Sequence, residues 1–396
     1  MKISDAASGM TGATLGAAFL MATSAIGPGF LTQTTVFTVS LGTSFGFVIL
    51  LSLLLDLGAQ VNIWRVVVAS GRRAPELAGA VFPGLGHVLT VLIVLGGLAF
   101  NIGNVAGAGL GLDALAGVPV VWGAGISGAL SAMLFMSREA GKTMDRVARA
   151  LGFLMILLTG WVAVSAHPPV LQALKHTFWP EKIDMLAVLT IVGGTVGGYI
   201  SFAGAHRLLA AGIKGNSHVP LATKSAFTGI GVATLMRGLL FLAAIGVVAG
   251  GAAIDPANPP ASIFAVAGEA GYRFFGLVMW SAAVTSVLGC SFTSVSFLTA
   301  SFPALLKYEK PLLLGFILFS TLAFAAFGKP VQALIIAGAL NGLILPLALA
   351  ALLLAARKPL LTGGYRPSSF WLLAGWLVVL VMGTMAVAAM KTLMQG

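Results

Sequence analysis

Ala25-Ile26-Gly27-Pro28-Gly29-Phe30 and Gly193-Gly194-Thr195-Val196-Gly197-Gly198-Tyr199 each interrupt a long apolar stretch, and the reading of these two segments decides the fold. Hydrocarbon offers no partner to a free N–H or C=O, so a helix breaks inside a bilayer only where the freed groups line a cavity or a bound solute. Each break therefore points to a binding site, and the chain reads as a transporter, not an enzyme. The surrounding composition agrees. Of 396 residues 58% are hydrophobic and 8% charged, far more apolar surface than a water-soluble domain covers. The net charge of +11 does not mark a nucleic-acid binder, because the basic residues fall singly or in pairs between apolar runs and form no basic face. The lipid bilayer and a small-molecule solute are the expected partners. The single cysteine, Cys290, excludes an internal disulfide and a cysteine-based metal site.

Outward from the breaks, stretches long enough to cross about 30 Å of hydrocarbon lie near 11–38, 45–69, 84–112, 119–136, 147–166, 185–211, 220–250, 262–303, 311–327, 330–356 and 368–391. Eleven spans are predicted in one all-α membrane domain. The eighth stretch is too long for a simple helix and includes an extracellular lead-in. With the N-terminus in the cytoplasm, sixteen of the 22 lysines and arginines fall inside and five outside, with Arg237 within span seven. This places the C-terminus outside the cell. The breaks occupy spans one and six, which correspond if the chain is two five-helix repeats, about 11–166 and 185–356, plus an extra helix at about 368–391. Five is odd, so the repeats insert with opposite orientation, the plan of many secondary transporters. No nucleotide-binding loop of the Walker type is present, and an ion gradient is the expected drive.

The residues at the breaks also resemble a known family. Ile26-Gly27-Pro28-Gly29-Phe30, followed by Gly42-Thr43-Ser44-Phe45-Gly46-Phe47, is similar to the first-helix region of the natural resistance-associated macrophage protein (Nramp) transporters, where Asp-Pro-Gly-Asn precedes Gly-Ala-Ser-Phe-Gly-Tyr. Gly194-Thr195-Val196-Gly197-Gly198-Tyr199 resembles their Ala-Thr-Val-Met-Pro-His in helix six, and Asn101-Ile102-Gly103-Asn104 their Asp-Leu-Ala-Glu in helix three. The resemblance implies the fold of the amino acid, polyamine and organocation transporters and a bacterial inner (plasma) membrane. It also exposes departures. Gly27, Phe30 and Gly197 stand where that family holds its metal with aspartate, asparagine and methionine, Tyr199 replaces the histidine, and the amides of Asn101 and Asn104 replace two acids. Divalent ions need anionic, imidazole or thioether ligands to offset dehydration.

A small organic solute, a carboxylate or amino acid derivative, is therefore the expected cargo. Gly27 and Gly29 let the backbone approach it, and the half-helix after Pro28 offers free N–H groups at its positive end. Thr32, Gln33, Asn101, Asn104, Gly198 and Tyr199 complete the candidate binding set with Gly197. Threonine and glycine also serve plain helix packing in membranes, and that reading of the threonines stays open. No cofactor is expected beyond a coupling H⁺ or Na⁺. For a proton, Asp56 is the candidate, being the one acid in the middle of an apolar span; its competing role is an ion pair with Arg237. For sodium, Thr285 and Ser286 of span eight are the candidates, against in-helix hydroxyl bonding. Two other functions stay open: transport of Mn²⁺- or Mg²⁺-type cations through an atypical site, and a non-transporting sensor built on a transporter scaffold.

Overall fold

The computed structural model describes residues 26–136 and 138–395, and among them it is helical with no strand. The first half of span one, before Ile26, lies outside the described residues. The helices are α1 (Pro28–Leu41), α2 (Phe45–Ser70), α3 (Ala74–Val81), α4 (Leu85–Ala116), α5 (Val120–Met136), α6 (Arg138–Ser165), α7 (Val170–Phe178), α8 (Met185–Val196), α9 (Ile200–Ala210), α10 (Val219–Ala249), α11 (Pro259–Phe264), α12 (Gly268–Ser301), α13 (Glu309–Phe327), α14 (Pro330–Ala356) and α15 (Ser369–Gln395). Helices thus occupy the second half of predicted span one and each of spans two to eleven. Span five begins earlier than its apolar run, at Arg138, and the overlong eighth stretch separates into the short α11, a turn, and α12.

Length and hydropathy alone support eight crossing segments among the described residues, or nine if the pair Ala150–Ser165 and Val170–Phe178, bent by 107°, is one span. From nine, the difference from eleven has two sources. Pro28–Ser70 counts as a single apolar segment because only Gly42–Ser44 separates α1 from α2, and Val120–Met136 is shorter than a full crossing. Gly42 ends α1 at φ 59°, a left-handed backbone that a side chain disfavours.

The packing is reciprocal in the way a pseudo-twofold axis between two repeats requires. Spans two and seven (α2 and α10), three and eight (α4 and α12), and four and nine (α5 and α13) contact each other, and the α1–α10 contact is mirrored by α2–α8. Span six is the most enclosed: 89% of its apolar window is buried, against 22% for α13 and 28% for α15. The broken span therefore runs through the centre while α13 and α15 face outward.

Small residues set these interfaces, since lipid-soluble helices gain little from apolar contact with one another and associate where their backbones meet closely. A Cβ at Gly111 or Gly276 would strike the facing backbone of α12 or α4, and one at Gly193, Gly338 or Gly342 the facing backbone of α14 or α8. Gly193 is consequently not part of the break. Helix α8 continues to Val196, and Gly193 and Gly194 are packing positions within it.

Candidate functional site

The second break exists and is narrower than its glycine run; of the first, the described residues show the far side, where α1 begins. At the first, Gly27 is extended (φ −98°, ψ −172°) and Pro28 opens α1 with no N–H to satisfy; the helix has no side-chain cap and no acid in its first turn. Gly107 of α4 faces Pro28 so closely that a Cβ there would overlap the proline ring. Thr32, Gln33, Thr34 and Thr35 follow, all fully buried. Thr35 and Thr38 bond carbonyls of their own helix, which matches the packing role, whereas the Thr32 hydroxyl has no partner among the described residues. Gln33 donates through Nε2 to the Leu334 carbonyl at 2.8 Å, its Oε1 has no partner, and its amide fits among Gly29, Gly194 and Gly338.

The second break is Gly197–Tyr199, between α8 and α9. One residue that the sequence reading did not single out, Asn341 of α14, holds it. Its Oδ1 accepts from Tyr199 N–H at 3.2 Å, its carbonyl from Gly198 N–H at 3.3 Å, and its Nδ2 donates to Gly96 of α4 at 2.9 Å and to Ala337 at 3.0 Å. Ser201 donates to the Val196 carbonyl at 2.8 Å, closing the break from the other side. The groups freed at this break are thus met largely by protein. The signal for Asn341 was available: a mid-span amide in an otherwise apolar helix is expensive unless it is used.

Tyr199 is almost buried, with Phe100 6.0 Å away between ring centroids and its hydroxyl beside Thr293 and Cys290. Along α4, Gly97 makes room for Ser294 of α12 with the Tyr199 ring at van der Waals distance, and Gly107 abuts Pro28. Ten residues of helix separate these marks, about 15 Å, and Asn104, which is buried, lies between them in sequence. Asn101 does not pair with it; Asn101 Nδ2 donates to Ser320 of α13 at 2.9 Å and to Ser291 of α12 at 3.3 Å, tying three helices together.

The charged candidates resolve differently from expectation. Asp56 is buried and its Oδ1 has no partner, yet it forms no ion pair with Arg237; the ion pairs among the described residues are His176–Glu181 and Arg273–Glu269. Arg237 instead reaches the breaks. Its Nη1 donates to Thr195 Oγ1 at 3.0 Å, its Nε to Thr34 Oγ1 at 3.4 Å, and its guanidinium lies 4.2 Å from the centroid of the Phe30 ring. Thr285 donates to the Ser281 and Ala282 carbonyls at 3.1 and 3.0 Å, the in-helix alternative, and Ser286 is half-buried beside it. Among the described residues no three His, Cys, Asp or Glu side chains cluster to hold a metal.

The family model of the natural resistance-associated macrophage protein-like transporters matches residues 18–392. The chain belongs to the Nramp family. Among its relatives is an uncharacterized membrane protein of Bacillus subtilis, YcsG, 53% identical over 96% of this chain and 94% of that one. The divalent metal cation transporter MntH of Caldanaerobacter subterraneus is 27% identical over 46% of this chain and 44% of that one. In structure the chain resembles the manganese transporter of Eremococcus coleocola, with a TM-score of 0.76 at 17% identity over 95% of this chain and 86% of that one. This Nramp protein has the transporter fold that the sequence predicts, with Gly27 at the start of α1 and Gly197 at the break between α8 and α9.

Proposed function

We propose that this Nramp protein is a secondary-active transporter whose cargo binds between the break at Gly27 and the break at Gly197–Tyr199 and crosses by alternating access. The observation that carries the reading is the pair of unwound segments in corresponding spans, at Gly27 and at Gly197–Tyr199, both packed beside α4. Basic-residue asymmetry supports a cytoplasmic N-terminus, and Asp56, buried with an unpartnered oxygen, is the candidate for carrying a coupling proton.

On the cargo, kinship supports a divalent metal cation better than an organic solute, since the functionally named relatives are metal transporters. In that case the ion is held by neutral oxygens: backbone carbonyls at the breaks, Gln33 Oε1 and the Thr32 hydroxyl. One observation supports a small organic carboxylate as a second reading. No acid, imidazole or thioether stands at Gly27, Phe30, Gly197 or Tyr199, and the charged group that touches both broken spans is the cation Arg237. Neutral oxygens alone offset the dehydration of a transition metal poorly.

Uptake into liposomes decides between them. Protein-dependent, saturable Mn²⁺ accumulation assigns the metal; accumulation of a carboxylate with no Mn²⁺ signal assigns the organic solute. Flux of neither would return the protein to the sensor reading.

A further inference from the structure

The guanidinium of Arg237 is fully enclosed, at 2% exposure, and is only partly bonded. Nε and Nη1 reach two threonine hydroxyls, Phe30 covers one face, and Nη2 has no hydrogen-bond partner among the described residues. Hydroxyls and a ring quadrupole orient a cation but do not neutralise it. Among the described residues the acid whose field reaches Arg237 is Asp56, and the two are not in contact. Helix ends do not supply the missing charge either. The N-terminus of α1 beside Phe30 contributes about +0.5 of an elementary charge and the C-terminus of α8 beside Thr195 about −0.5, so these two cancel and the full charge of the guanidinium remains.

Its place is as informative as its charge. Phe30 is two residues past Pro28, at the start of α1, and Thr195 is two residues before Gly197, at the end of α8. One cation from span seven thereby touches the margin of both breaks. We propose that Arg237 is a cargo-binding residue that recognises a carboxylate, with Nη2 and the second N–H of Nη1 as the donating edge and Thr34 and Thr195 fixing the plane of the fork. This deepens the carboxylate reading of the cargo and rests on it. A planar two-donor edge matches the two oxygens of a carboxylate and is poorly matched to a halide. The same charge repels a divalent cation, so Arg237 also discriminates between the two cargo readings.

The test is thermal stability of purified protein in detergent with millimolar sodium formate, acetate, lactate or succinate, against sodium chloride and manganese chloride. A bound ligand stabilises the folded state by mass action. At least one carboxylate is expected to raise the melting temperature of the wild type where chloride does not. Arg237→Gln is expected to weaken that binding by about tenfold or more, the consequence of removing one partner of a buried charged pair. Arg237→Lys keeps the charge without the fork and should retain intermediate affinity. Should Arg237→Gln fail to fold, Arg237→Lys and Thr195→Val decide, each with weakened binding expected. No shift with any carboxylate, a shift with manganese alone, or wild-type affinity in the variants that fold overturns the proposal. Flux is read separately in liposomes. Carboxylate binding that depends on Arg237 without flux would remove the transporter reading and leave this one, whereas carboxylate flux indifferent to Arg237→Lys and Thr195→Val would do the reverse.

Discussion

Asn341→Ala is the sharpest test of how the sixth-span break is held. The side chain is fully buried and makes two bonds that leave its own helix, from Nδ2 to Gly96 and to Oδ1 from Tyr199 N–H. Its third bond, to Ala337, is local, and the Gly198 bond uses the main chain and survives the substitution. Truncation therefore strands the buried Tyr199 N–H, while the Gly96 carbonyl loses a second partner and keeps its bond within α4. A stranded buried group costs about 1–3 kcal/mol, and that is the loss expected here. An internal comparison sharpens the number. Asn216→Ala removes an amide bond of 2.8 Å to the Gly363 carbonyl on the exposed surface, where water replaces the partner, and is expected to cost no more than about 1 kcal/mol. Denaturation of both variants by SDS titration in bicelles measures the pair. An Asn341→Ala loss equal to that of Asn216→Ala, or below about 0.5 kcal/mol, would refute the view that this side chain satisfies the break.

Three further outcomes are expected. Gly107→Val drives a branched side chain into Pro28; overpacking of this kind costs about 1–3 kcal/mol, and both melting temperature and uptake should fall, while uptake at the wild-type level would mean that α1 does not rest on α4 during the cycle. Asp56→Asn keeps the shape and removes the titration, so uptake should lose its dependence on a pH gradient while downhill exchange persists; unchanged pH dependence in a folded variant moves the coupling role to Thr285 and Ser286. With Cys290 replaced by serine, cysteines introduced at Lys175 and Lys214 should label from outside and inside the cell respectively, and the opposite pattern would invert the topology.

The fold, the start of α1 at Gly27-Pro28 and the break in span six were legible because lipid enforces a simple rule: an unpaired backbone group must be explained, and Gly197-Gly198 is where explanation was needed. The extent of the second break was not legible. Gly193 and Gly194 look like Gly197 and Gly198 in sequence, but the first pair sits in helical backbone to admit α14 and Gln33, a role that depends on which helix lies opposite. Asn101 and Asn104 share a polar look and a spacing of three, yet Asn101 braces α12 and α13 and does not pair with Asn104. Side chains one turn apart on a helix can face different neighbours, and only the packing tells them apart. Arg237 was visible as a buried charge, but its partners were not: the sequence offered Asp56 as the natural mate, and the fold gives it Thr34, Thr195 and Phe30 instead.

Gln33 bears on how such a protein moves. Its flat amide lies in a slot whose walls are glycines from spans one, six and ten, and it is fastened to the Leu334 carbonyl across the slot. A key seated this way blocks sliding along the slot, because any shift of one wall past another by a helical turn requires the amide to leave or a glycine to acquire room it lacks. Sliding of α1, α8 and α14 past one another is thus opposed at this key, and relative motion is easier at seams without one. The position of one glutamine thereby limits which joints of the bundle are free to open.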